Sequence, residues 1–280
     1  MLATTWLGCA HTQHRRLVGG DPEEQVATVS IDYDQSSDTW TVQYHLPEPV
    51  HEITFWRNRT RLRTKSWHIV SPTESLWAQA DGRERVRFGA PVSDIVLSFR
   101  SNTANQFMDY SLNQRFSNGD ALLFGPFLLI EDSSGSAPLE AHVQASGSAE
   151  LIGADGLSGY LYAGSIPTER WTAVEMVVDP ALPDWIRSSL EEDLPALFAE
   201  YQRTTGQDLP FVPVLFVSFE DGAESEAATL GGTRGRQAQL HVAGGYWHHD
   251  DAWSRFTWTK FLAHETFHFW NETLVGSLDG

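Results

Sequence analysis

The sequence predicts an α+β protein in two parts, a β-rich N-terminal domain followed by a smaller α+β domain. Short runs that alternate apolar and polar residues fill most of the chain before Pro180, as in half-buried strands. Apolar residues spaced three and four apart occur mainly after Pro180, where they predict amphipathic helices. The length of 280 residues is enough for two domains of ordinary size.

Residues 1–25 are predicted to form a tail and a linker. Gly8 and Cys9, the only cysteine, resemble the end of a bacterial lipoprotein signal, in which a small residue precedes the acylated cysteine. The apolar stretch before Cys9 is short and no basic segment precedes it, which argues against such a signal. Two expectations stay open: lipidation at Cys9 with a location in the bacterial cell envelope, periplasmic and lipid-anchored, or an unstructured tail on a cytoplasmic protein.

Residues 26–179 are predicted to form a β-sandwich-like domain or an open curved sheet. Val26–Tyr33 and Thr39–Leu46 alternate in polarity on either side of a turn-rich segment, which predicts an antiparallel hairpin. Shorter strands are predicted at 51–56, 66–70, 86–88, 94–99, 121–130, 141–145, 159–163 and 173–178. The pattern changes at Asp179 and Pro180, where we place the domain boundary.

Residues 180–280 are predicted to form a helix, two strands and a second helix. The first helix runs over Pro183–Tyr201, with Pro195 as a kink or break. Strands are predicted at Val212–Phe219 and Gln237–Val242, and the last helix covers Ser254–Asn271.

The last helix contains the pattern HExxH at His264, Glu265 and His268. Two histidines four residues apart lie on one helix face, so both imidazoles can bind a single Zn²⁺. Glu265 lies at the margin of that face, where its carboxylate can take a proton from zinc-bound water and pass it to the leaving amine. The alternative is a buried helix in which the histidines bridge neighbouring residues and Glu265 pairs with an arginine.

The stretch from His264 to Asn271, HETFHFWN, resembles the active-site helix of the glycyl aminopeptidase family, M61, within the gluzincin clan that includes the M1 aminopeptidases. The resemblance implies a thermolysin-like catalytic domain behind the β-rich domain, with His264 and His268 as zinc ligands and Glu265 as the catalytic base. It also implies an edge strand that pairs with extended substrate, here around Gly231, Gly232 and Thr233. An ordinary hairpin with a glycine-rich turn explains this segment equally well.

The family takes its third zinc ligand from a glutamate on a later helix, so we expect this chain to be shortened before that ligand. Glu272 would lie about 12 Å along the helix axis from His264, too far to replace it easily. The run His248-His249-Asp250-Asp251 offers metal-binding groups just before the helix, although a solvated turn and helix start is the favoured interpretation. The M1 motif GxMEN has no counterpart, so the sequence does not support aminopeptidase specificity.

The charge balance narrows the choice of partner. There are 37 acidic against 19 basic residues, giving a formal charge of -18, which disfavours binding to nucleic acid. No run is apolar enough to cross a bilayer, so membrane contact is expected only through Cys9.

From the HExxH pattern and the family resemblance, we expect a zinc-dependent metallopeptidase that acts on a peptide or protein substrate. The alternative is a non-catalytic lipoprotein that binds peptides or proteins through a degenerate peptidase-like domain.

Overall fold

A computed structural model describes residues 26–56, 63–101, 113–131, 135, 138–147, 149–150, 152, 156–171 and 173–275. Cys9 and the rest of 1–25 lie outside the described residues, so the predicted lipidation site stays a prediction. The strands and α-helices are, in chain order, β1 (Ala27–Asp34), β2 (Thr39–Thr54), α1 (Arg63–Ser66), β3 (Trp67–Ser71), β4 (Ser75–Ala80), β5 (Arg83–Arg100), β6 (Asn113–Arg115), β7 (Ala121–Phe124), β8 (Ala141–Gly147), β9 (Ala149–Glu150), β10 (Tyr160–Ala163), β11 (Glu169–Arg170), β12 (Glu175–Val178), α2 (Asp184–Thr205), β13 (Val214–Glu220), β14 (Ala228–Arg234), β15 (Gln237–Ala243) and α3 (Ala252–Val275).

The first sheet has the strand order β3-β5-β2-β1-β8, with β4 also paired to β5. The alternating sequence of β1 places every second residue of this strand in the core. β1 and β2 pair antiparallel, as the hairpin prediction requires. Two features differ from the predicted antiparallel arrangement of short strands. β8 pairs with β1 in parallel, and the strands predicted at 86–88 and 94–99 are one continuous strand, β5. β4 was not predicted.

The second sheet is small, antiparallel and buried, with the order β6-β7-β10-β9. All four residues of β7 and of β10 are buried, so these strands carry apolar side chains on both faces. The predicted strand 121–130 stops at Phe124, where a 3-10 turn over Gly125–Leu128 begins. The first and second sheets share one apolar core.

The third sheet carries the C-terminal part of the chain, with the order β11-β12-β13-β15-β14. β12, β13 and β15 run parallel, and β14 pairs antiparallel with β15 at the sheet edge. Alternate residues of β13 face opposite sides. Phe216 packs on the second sheet, whereas Leu215 and Val217 pack under helices α2 and α3. The third sheet is therefore covered on one face by strands and on the other by helices.

β12 precedes the predicted boundary at Asp179 and Pro180 but pairs with β13 in the third sheet. The sequence placed this strand at the end of the first domain. A four-residue apolar strand carries no sign of which sheet it joins, because pairing depends on the register between distant segments. The predicted boundary itself stays a prediction.

Both predicted long helices are present and longer than predicted. α2 continues through Pro195, which lies on the exposed side, where water can bond the carbonyl that the proline leaves without a donor. Gly206 ends α2 in the left-handed conformation at φ 68°. Among the described residues, no helix is long and apolar enough to cross a membrane.

The observed architecture is α+β, as predicted. The more specific prediction, a β-sandwich joined to a thermolysin-like domain, stays a prediction.

Candidate active site

Helix α3 begins where Asp251 accepts a hydrogen bond from the Ser254 backbone N–H at 2.8 Å. Behind this cap, a buried stripe runs the length of the helix and packs on the third sheet and on α2. It comprises Ser254, Trp258, Leu262, Glu265, Thr266, Phe269 and Trp270. The stripe includes one carboxylate, Glu265, and leaves the flanking histidines more accessible.

His264 and His268 approach each other as two ligands of one ion would. Their Nε2 atoms are 3.3 Å apart, and the His264 side chain is 68% exposed. Two nitrogens bound to one tetrahedral zinc at about 2.0 to 2.1 Å each would lie about 3.3 to 3.4 Å apart. The separation therefore matches that of two ligands of one Zn²⁺, and it is also within the range of a hydrogen bond between the two rings. Desolvation, and then the neighbouring His264, lower the pKa of His268, which favours the neutral imidazole that binds metal.

Glu265 is only 7% exposed, and its Oε1 lies 4.0 Å from His264 Nε2. Burial raises the pKa of this carboxyl above its usual range, and the nearby His264 lowers it by a smaller amount. A carboxyl group with a raised pKa beside two imidazoles is suited to accept and return a proton.

Gly231 of the edge strand β14 lies directly against Glu265. A Cβ atom placed on Gly231 would lie 2.5 Å from Glu265 Cδ and 2.8 Å from Oε1, closer than real contacts allow. Only glycine leaves room for the carboxylate at this strand position.

Thr233 and Glu272 make two further contacts between β14 and α3. The Thr233 hydroxyl donates to the Glu265 backbone carbonyl at 2.8 Å, within the buried interior. The Gly235 backbone N–H donates to Glu272 Oε2 at 3.0 Å, at the turn between β14 and β15. Glu272 thus binds the hairpin turn.

The three residues predicted for substrate binding are divided between the two faces of β14. Gly231 and Thr233 pair with Leu240 and Ala238, whose side chains pack beneath the helices, so they face α3. Gly232 is on the alternate face, and its carbonyl lies 3.5 Å from the Tyr160 hydroxyl. Among the strands that the structure describes, β14 is the last of its sheet, and none of them pairs with the other side of its backbone.

The run His248-His249-Asp250-Asp251 forms the turn into α3, as the favoured interpretation held. His248 Nε2 lies 3.1 Å from Asp221 Oδ1, Asp250 pairs with Arg255, and Asp251 caps the helix. These side chains have local partners and do not gather at the histidine pair.

Within the part of the chain that the structure describes, no three histidine, cysteine or acidic side chains gather to hold a metal ion. His264 and His268 are therefore the two candidate ligands in this part of the chain, and no third candidate joins them there. Glu272, which the sequence places too far along the helix to replace the third ligand easily, binds the hairpin turn.

Tyr201 of α2 supports the segment of α3 that carries His264, a role that the sequence did not indicate. Its hydroxyl donates to the carbonyl of Ala263, the residue before His264, at 2.8 Å. Its ring packs edge-on against Phe267. Only the tertiary contact between α2 and α3 reveals this support.

Comparison with solved structures shows a shared fold. An aminopeptidase N family protein from Idiomarina loihiensis matches with a TM-score of 0.52 and 13% identity, over 91% of this chain and 50% of that one. Leukotriene A4 hydrolase from Saccharomyces cerevisiae matches with a TM-score of 0.40 and 10% identity, over 88% of this chain and 43% of that one. Aminopeptidase A from Legionella pneumophila matches with a TM-score of 0.38 and 13% identity, over 88% and 34%.

No protein-family model and no curated protein matches the sequence. The chain spans half the length of the aminopeptidase N family structure. The chain therefore shares an α+β fold with that structure. The specific resemblance to M61 stays a prediction.

Proposed function

We propose that this protein is a zinc-dependent metallopeptidase that hydrolyses peptide bonds, of the M61 or M1 type that the sequence resembles. One observation carries the proposal. The two Nε2 atoms of HExxH lie at the separation that a tetrahedral zinc requires, beside a buried carboxylate and an edge strand. The fold shared with an aminopeptidase N family protein agrees with this activity.

In this proposal the two histidines bind the metal and Glu265 transfers the proton. His264 and His268 would hold the ion through Nε2. Bound Zn²⁺ supplies a Lewis acid that polarises a carbonyl and acidifies water. Glu265 takes a proton from water at Oε1, the oxygen nearer His264, and returns it to the departing amine nitrogen. Its raised pKa favours the first of these steps, because burial makes the carboxylate a stronger proton acceptor.

Strand β14 supports the choice of a peptide substrate. An extended chain can add to its free edge through backbone hydrogen bonds whatever its side chains. We propose that Gly231, Gly232 and Thr233 form this binding edge. We also propose that Cys9 anchors the protein in the bacterial envelope, which does not affect the chemistry.

Metal analysis and peptide hydrolysis test the proposal together. We expect near-stoichiometric zinc in the wild type and its loss in His264→Ala, since one imidazole is a weak site. We expect Glu265→Gln to keep its zinc but to lose hydrolysis by about a thousandfold, because the proton acceptor is gone. Zinc-free wild-type protein, or full activity in Glu265→Gln, would contradict the proposal.

The rival function is peptide or protein binding without hydrolysis. It is favoured by the lack of a third ligand among the described residues. A protein that binds a partner peptide equally well with and without a chelator, and hydrolyses none, would establish the rival.

A further inference from the structure

We propose that Glu272 and Thr233 are positioning residues that fasten the edge strand β14 to α3 and so fix the Glu265 carboxylate beside His264. The pair is called here the strand latch. The inference rests on the proposed function for its catalytic consequence, but the fastening itself can be measured without activity.

Two hydrogen bonds between β14 and α3 define the latch. Thr233 donates to the Glu265 carbonyl at 2.8 Å, and Gly235 N–H donates to Glu272 at 3.0 Å. Glu265 and Glu272 are seven residues apart, about two helical turns, and therefore lie on the same face of α3. They span about 10 Å of helix, and the strand from Gly231 to Gly235 spans about 13 Å. Strand and helix thus run side by side with matched contacts.

The position of β14 matters because its backbone is the wall against which the Glu265 carboxylate packs. The space for a Cβ atom at Gly231 is taken by Glu265 Cδ and Cγ, at 2.5 and 2.6 Å from it. A strand that moves away from α3 leaves the carboxylate unconfined, and a strand that moves closer displaces it. Errors of about 1 Å in a catalytic group cost about a hundredfold in rate.

Glu272 is the more informative of the two residues to change. It is partly exposed and lies one helical turn past His268, at the end of the latch away from His264. Its carboxylate oxygen accepts from a backbone N–H, a bond that a glutamine side-chain oxygen can also accept. Glu272→Gln should therefore preserve the latch, and Glu272→Ala should remove one end of it.

The experiment compares wild type, Glu272→Ala, Glu272→Gln and the control Thr273→Ala in the full chain. The control removes an exposed neighbour whose hydroxyl bonds only within the helix, to the Phe269 carbonyl, in the described contacts. Hydrogen exchange is measured by mass spectrometry on peptides covering β14 and its turn. Zinc affinity, kcat and KM on a peptide substrate are measured on the same preparations.

We expect Glu272→Ala to exchange about tenfold faster in the turn and to lose about tenfold in kcat, while KM and zinc affinity stay within about twofold. Glu272→Gln and Thr273→Ala should match the wild type. A kcat loss with unchanged KM and metal, restored by glutamine, is not the signature of general destabilisation.

Three results would overturn the inference. Unchanged exchange in Glu272→Ala shows that the bond does not fasten the strand. Faster exchange with an unchanged kcat shows that the fastening does not position Glu265. Loss of zinc together with kcat shows that Glu272 acts on the metal. A wild type without peptidase activity refutes the proposed function separately, and the exchange rates still decide whether Glu272 holds β14 to α3.

Discussion

Gly231 and Glu265 illustrate how a residue without a side chain can define a site. The Glu265 carboxylate is buried against the glycine backbone, which keeps out water and raises the pKa of the carboxyl. Neither residue type indicates a site by itself. Glutamate is found in many helices, and glycine pairs are common in hairpins.

We predict that Gly231→Ala lowers kcat/KM for peptide hydrolysis by about a hundredfold, because the new methyl group displaces the catalytic carboxylate. Zinc content should not change, since the histidines lie outside the collision. The matched control is Gly89→Ala in strand β5, where a Cβ atom meets its nearest neighbour at an ordinary 3.5 Å. Equal activity in the two variants would show that Glu265 can move without cost.

At the scale of single elements, the short helix α1 is attached to strand β5 by a buried ion pair. Arg63 Nη1 lies 2.6 Å from Glu84 Oε2, both side chains are at most 2% exposed, and the guanidinium also bonds the Phe127 carbonyl. Burial lowers the pKa of Arg63, and the Glu84 carboxylate opposes that shift. The pair offsets the desolvation of both charges only while it is intact.

We predict that Glu84→Gln lowers the free energy of unfolding by about 3 to 5 kcal/mol, because it leaves the Arg63 charge buried without a counter-charge. Urea denaturation followed by tryptophan fluorescence measures this. Glu52→Gln is the control. Glu52 pairs with Arg85 and Arg87 near the surface, where such pairs contribute less than about 1 kcal/mol. A cost for Glu84→Gln as small as that of Glu52→Gln would refute the prediction.

At the scale of the whole molecule, buried side chains join the second and third sheets. Asp179 accepts the backbone N–H groups of Ser117, Ala181 and Phe219 at 2.8 to 3.1 Å and the Ser117 hydroxyl as well. The amide of Gln237 bonds the backbone N–H and carbonyl of Tyr160. The predicted boundary residue is therefore a junction between sheets.

We predict that Asp179→Asn lowers the free energy of unfolding by about 2 to 4 kcal/mol, because the new amide N–H₂ faces backbone donors. The unfolding transition should stay single, because the Gln237 contacts and the shared apolar cluster still join the two sheets. Calorimetry measures both. Asp81→Asn, at a 90% exposed side chain, is the control and should change stability little. Two separate transitions in the Asp179 variant would show that the two sheets unfold independently.

Much of the fold follows from local patterns. Period-two alternation located β1 and β2, and helical spacing located α2 and α3, because one buried face imposes a fixed period on each element. The pattern predicts β12 as a strand but not its pairing with β13, and it does not predict β4. Strand pairing joins segments that are distant in sequence, so local composition does not specify it.

The sequence alone determined that His264 and His268 share one helix face and that Glu265 stands beside them, because helix geometry fixes residues three and four apart. Only the tertiary structure brought β14 alongside α3, put Gly231 against Glu265, and placed Glu272 against the hairpin turn. These contacts depend on how a sheet edge packs against a helix. That packing depends on the burial of many residues together, so no single sequence motif predicts it.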